Sequence, residues 1–246
     1  MKGKEKKETL SDGGKRNTGA DLLSFNPSKV EKGIFSLPGL IVSVGGLTER
    51  LVKFSSASLF AELKNMPREQ LDAFLEDVIS IFQQFHKNER ITIPMFKFLD
   101  QILSCGYLDE ATEDPESILP RRLLDEIKVE ITKCGDPAKL ILSTDVVCAL
   151  LAAGDPSCVK KCLIQLSIFM CHRFPRVRRV AANKLYEALL TFSDKDIVPF
   201  DKLDEINDVL TDTNWEAGIE TLRPIRNNLC EMMGVQAPTV VKKLVG

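Results

Sequence analysis

Few residues in this sequence have types and spacings that could run a reaction. Cys158 and Cys162 lie one helical turn apart, a spacing that suits two metal–thiolate bonds, yet a zinc site needs further ligands and no second Cys or His pair stands at ligand spacing. Cys171 beside His172 suggests a thiolate–imidazolium pair, but chain neighbours do not share a helix face. The two histidines, His86 and His172, each follow an apolar helical run, where a hydrogen-bonded structural role outweighs that of a general base. Gly45-Gly46 lacks the lysine and spacing of a phosphate loop and reads as a turn. Asp125-Glu126 and Asp204-Glu205 read as solvated faces. These parts assemble no reaction, so the expectation is a protein with no catalytic residue, no metal ligands and no cofactor.

The elements that would position any site follow from composition and punctuation. With 246 residues, 44% of them hydrophobic and 28% charged, and a net charge of −2, the chain can bury a core and has no strong pull toward nucleic acid. Residues 1–33 carry eight Lys/Arg against five Asp/Glu, a mildly basic stretch ahead of an acidic body and too weak to imply a nucleic-acid partner. The seven cysteines are scattered through apolar runs, which suits reduced thiols in a cytoplasmic protein. No signal peptide or uninterrupted apolar span is evident, so neither secretion nor a transmembrane segment is expected.

Residues 1–36 hold too few apolar groups to offset the entropy of ordering and are expected to form a disordered tail or linker remnant. A helical-repeat domain is expected over 37–246. It starts with a short apolar segment, a break at Gly45-Gly46, and a helix capped by Thr48 and ending before Pro67. Helices opened by proline then follow in "NMPREQL", "EDPESILPRRLL", "GDPAKLIL", "GDPSCVKK" and "FPRVRRVAANKL", since proline suits a first turn that has orphan N–H groups anyway. "ERITIPMFKFLDQILSCG" reads as another, entered through Thr92 and Pro94 and ending at Gly106. A short helix over 202–210 precedes a long one in "TNWEAGIETLRPIRNNLCEMMG", with Trp215, Ile219, Leu222, Ile225, Leu229 and Met232 on one stripe, Pro224 kinking or dividing it, and Gly234 closing it. Apolar residues recur at three and four, and no strand alternation appears. The fold class is therefore all-α, a HEAT/armadillo-like helical repeat array (α-solenoid). Its irregular period leaves a compact irregular helical array as the alternative.

"CHRFPRVRRVAANKLYEALLTFSD" concentrates Arg173, Arg176, Arg178 and Arg179 at the start of one helix. Val177 and Val180 should turn inward and Ala181-Ala182 should permit close helix contact, which leaves the arginines on the exposed side and the turn. They either solvate the repeat edge or form a basic ridge for an acidic protein partner. Trp215 is a core residue on its stripe or an interface anchor.

"LPGLIVSVGGLTERLVKFSSASLFAELK", "NERITIPMFKFLDQIL", "CHRFPRVRRVAANKLYEALLTFSD" and "LDEINDVLTDTNWEAGIETLRPIRNNLCEMMGV" resemble, in order, the C-terminal region of the tubulin-folding cofactor D family, from about Leu40 to about Val240. That family's proteins are several times longer, with a large HEAT/armadillo array ahead of this region, so the chain reads as a C-terminal fragment, a truncated isoform or a partial gene model. The resemblance implies a tubulin chaperone or scaffold that binds β-tubulin. With other tubulin-folding cofactors it would assemble or take apart the αβ heterodimer and promote GTP hydrolysis at tubulin's own nucleotide. It further implies association with an ADP-ribosylation-factor-like small GTPase, a cytoplasmic location and links to the cytoskeleton or centrosome. It makes the 173–179 turn the first candidate contact. A generic helical-repeat protein–protein adaptor is the alternative.

Overall fold

The computed structural model describes residues 60–239, and among them every regular element is helical. Residues 60–63 are helical. Then follow α1 (Arg68–Phe85), α2 (Glu89–Ser104), the single turn α3 (Asp109–Thr112), α4 (Leu119–Ile131), α5 (Pro137–Ala149), α6 (Pro156–Met170), α7 (Pro175–Thr191), α8 (Leu203–Asp212) and α9 (Ile219–Met232). Short 3₁₀ turns at Leu150–Ala152 and Phe200–Lys202 follow α5 and precede α8. The expected tail, the Gly45-Gly46 break and the Thr48 cap lie outside the described residues.

Proline marks the starts as its chemistry requires, though not at every expected place. Pro137, Pro156 and Pro175 each open a helix, and Asp136 and Asp155 accept hydrogen bonds from Ala138 N (2.9 Å) and Ser157 N (2.8 Å). Pro115 does not open α4. Asp114 bends that segment by accepting from Glu116 N at 2.9 Å, and the helix waits for Leu119-Pro120. The entry to α2 is likewise not Thr92-Pro94 but Glu89, which leaves Pro94 inside the helix. Pro224 also lies inside α9, which runs through it without a break. Gly106 and Gly234 adopt φ of 72° and 68° and end α2 and α9 with the same double bond, Tyr107 N to Ile102 O with Gly106 N to Leu103 O, and Val235 N to Cys230 O with Gly234 N to Glu231 O.

The apolar stripes pack these helices into two rows. α1, α4, α6 and α9 neighbour one another in that order, and so do α2, α5, α7 and α8, while α1 with α2, α4 with α5, α6 with α7 and α8 with α9 form the rungs between rows. This is a stack of helix pairs, compatible with a repeat solenoid. The last pair enters the second row first, reversing the order of the others. One continuous core runs between the rows, filled at one end by Phe82 against Phe96 (5.6 Å between ring centroids) and Phe74 edge-on to Phe98 (6.2 Å), and further along by Phe169, Leu185 and Leu222. The apolar faces of α6 and α7 turn to this core, with Val159, Val180 and Phe192 only half-buried.

Two edges result. The turns within pairs line one, and the connections between pairs line the other, where Gly154 N donates to Thr112 O (2.9 Å) and Lys195 pairs with Glu113 (2.7 Å). At Gly154 a β-carbon would fall 1.9 Å from the Glu113 carbonyl oxygen. Backbone cannot swing aside as a side-chain tip can. Gly154→Ala should therefore lower stability by about 3 kcal/mol, by analogy with severe overpacking, read as a reduced midpoint in chemical denaturation followed by circular dichroism.

Candidate functional site

The structure separates the four arginines that the sequence groups together. Arg178 is buried, only 3% exposed, rather than lying on the exposed side. Its Nε donates to Trp215 O (2.8 Å), Nη1 to His172 O (2.8 Å) and Arg173 O (3.4 Å), and Nη2 to Glu216 O (3.0 Å) and Ala217 O (2.8 Å). All five N–H donors of the guanidinium are thereby used. Arg173, Arg176 and Arg179 are exposed. Arg173 lies over the Phe174 ring at 4.6 Å, and Arg179 pairs with Glu216 at 2.8 Å, a contact between two solvent-exposed groups worth a few tenths of a kcal/mol, order of magnitude only.

Trp215 is also inside, 3% exposed, and sits in the turn before α9 rather than on that helix's stripe. Its Nε1 donates to Leu210 O (2.9 Å). The turn is wound tightly by Trp215 N to Thr213 O and Ala217 N to Asn214 O, both 3.0 Å, which points the carbonyls of 215, 216 and 217 toward Arg178. The turn "CHRFP" and the stretch from Trp215 to Ala217 are thus halves of one joint, and Arg178 is the bolt between them.

The same device recurs two pairs earlier. Lys87, at a left-handed φ of 64°, sends Nζ to Val129 O (2.8 Å), Thr132 O (3.0 Å) and Glu130 O, the open carbonyl end of α4. Beside it the fully buried Glu130 pairs with Lys139 and accepts from Lys87 N (2.6 Å), while His86 bridges Glu130 (3.3 Å) and Glu126 (2.8 Å). Burial would push the Glu130 carboxyl up, but the Lys139 ammonium and the Lys87 N–H together hold it below its ordinary value. His86 is thus hydrogen-bonded between two carboxylates that join α1 to α4. Between these two joints, a β-carbon on Gly135 would stand 3.6 Å from Arg173 Nη2, so the turns stack into one edge.

The other candidate chemistry dissolves into packing. Cys158 and Cys162 are fully buried, and desolvation drives the Cys162 thiol well above its ordinary range, away from the thiolate that metal binding needs. Cys171 is likewise pushed up by burial, and the His172 Nδ1 accepts from Phe174 N (3.3 Å) rather than facing a thiol. Among the described residues no group of three or more His, Cys, Asp or Glu is placed to hold a metal ion, and no helix is long and apolar enough to cross a membrane. What the edge offers is a surface: Arg173 and Arg176 exposed, Arg179 partnered with Glu216, and Lys133 exposed nearby at a φ of 57°.

Sequence reasoning missed Arg178's burial and the roles of Lys87 and Glu130. The signal for Arg178 was present, because it is in helical phase with Ala181, Ala182, Leu185 and Leu189, all buried. Glu130 shares the phase of Leu123, Leu124 and Ile127 in the same way.

The family model described as "Tubulin folding cofactor D C terminal" matches residues 35–139. Of the described elements the match takes in α1 to α4 and the opening of α5, and the arginine turn lies beyond it. No solved structure matches the chain.

Arg178→Ala should cost about 2–4 kcal/mol, because it strips donors from buried carbonyls, whereas Arg176→Ala should stay within about 0.5 kcal/mol. Trp215 is the single tryptophan, so its fluorescence during urea unfolding reports on this joint directly. A second expectation concerns pH. Burial, then the Arg173 and Arg178 cations, hold the His172 imidazole below its ordinary value of 6.5. The unfolded chain takes up that proton first as pH falls, so stability is full above about 6.5 and declines from there down through the folded pKa. His172→Asn, which keeps an acceptor but does not titrate, should lack this part of the decline in melting temperature.

Proposed function

We propose, on the premise that residues 35–139 belong to the tubulin folding cofactor D C-terminal family, that the protein is a tubulin-specific chaperone or scaffold module. It binds β-tubulin in the cytoplasm and, with other tubulin-folding cofactors and an ADP-ribosylation-factor-like small GTPase, helps join or separate the αβ heterodimer. Promotion of GTP hydrolysis, in this reading, is a matter of positioning tubulin around its own nucleotide, and it links the protein to microtubule cytoskeleton organisation and the centrosome. The family match is the observation that carries the reading.

The two-row stack supports it physically. A rigid array presents an extended surface without needing a reactive centre, which is what holding a folded but unassembled subunit demands. Arg173, Arg176 and Arg179 are the contact candidates on the turn edge. Arg178 and Trp215 serve the contact indirectly, by keeping that edge in place.

In co-purification of tubulin with the full chain, Arg176→Glu with Arg179→Glu should weaken capture by about tenfold, with a shallower salt dependence than the parent and unchanged helicity. Unaltered capture would remove the turn from the interface. Absence of tubulin from the parent's own complexes would remove the chaperone reading itself.

A further inference from the structure

A groove of about 450 Å³ runs between α8 and α9, on the pair that ends the described stack. Its floor is apolar, made by Val209, Ala217, Leu222 and Ile225, and Asp208 and Asp212 stand on the α8 side. Both aspartates are exposed, and neither has a cationic partner among the described residues. Elsewhere in the stack such a face is covered by the next helix pair. Here no described element follows.

The chain itself carries a segment of matching chemistry. Residues 240–246, "VVKKLVG", place Val240, Val241, Leu244 and Val245 at helical spacing on one face, with Lys242 and Lys243 between them. The tether is short. Arg226 Nη2 donates to Pro238 O at 3.4 Å, and Ile225, the neighbour of Arg226 in the helix, lines the groove, so the chain passes beside the groove just before this segment begins. Only Thr239 separates Pro238 from the segment, about 7 Å of extended chain at about 3.3 Å per residue, so the segment begins beside α9.

We infer that residues 240–245 dock in the α8–α9 groove, laying valine and leucine side chains on its floor and bringing Lys242 and Lys243 to Asp208 and Asp212. A segment this short does not hold a helix by itself in water, so its order comes from the groove. Close tethering offsets much of the entropy that a free peptide would lose. The inference rests on this groove and segment and is independent of the tubulin reading.

Hydrogen exchange on the full chain tests it. Removal of residues 240–246 should speed exchange of the amides in 208–225 by about tenfold while leaving those of α4 and α5 unchanged. Asp208→Lys with Asp212→Lys should do the same, and adding Lys242→Asp with Lys243→Asp should restore protection. If the aspartate variants fail to fold, as Trp215 emission would show, the truncated chain with the free VVKKLVG peptide added back provides the second arm, and saturable recovery of protection is expected. Identical exchange with and without the segment would overturn the inference. So would protection that rises with protein concentration, which would mark a second copy as the occupant.

Discussion

Stacking helix pairs side by side creates one recurrent demand: the carbonyl-rich ends of helices and turns face the next pair, some buried there, as at Trp215 O, and others at the rim, as at Val129 O. Each such oxygen needs a donor. Here the donors are long cationic side chains, Lys87 for the end of α4 and Arg178 for the turn before α9, with Arg226 reaching Ser167 O and Pro238 O from the other row. An aliphatic residue of similar bulk would fill the volume and leave the buried ones among these oxygens unpaired. The opposite edge solves the converse problem, close approach of two backbones, by omitting a side chain at Gly154.

Much of this was legible in the sequence, and the reasons differ by element. Asp-Pro at 136–137 and at 155–156 marks helix starts because cap and proline act locally, within three residues. The stripes of α6 and α7, recurring at three and four, name the core because burial follows helical phase. Pro115 and Pro94 misled because proline suits a turn as well as a first helical position, and because α2 carries Pro94 in its second turn at the cost of one backbone hydrogen bond. Arg178 was misplaced because charge argued for solvent while phase argued for the core. The carbonyls that decide the matter are 37 to 39 residues away, and no local window contains them.

The candidate surface was legible as a cluster and illegible as a division of labour. A run of arginines invites a single function, yet neighbouring members of this run differ in what they touch. Arg178 is spent on internal oxygens, Arg179 on Glu216, Arg173 on an aromatic face, and Arg176 projects outward. His172 and Arg173 of "CHRFP", Trp215 of "LTDTNW" and the two residues after it each give a carbonyl to one guanidinium.

That arrangement has an electrostatic corollary. Peptide carbonyls solvate the Arg178 cation but carry no net charge, and the potential of a dipole decays with distance faster than that of a monopole. A whole positive charge therefore persists when viewed from outside. It reinforces the field over Arg173 and Arg176, and draws anionic groups from within roughly a Debye length, about 8 Å in physiological salt. A side chain sealed away for folding thus still contributes to long-range attraction at the rim.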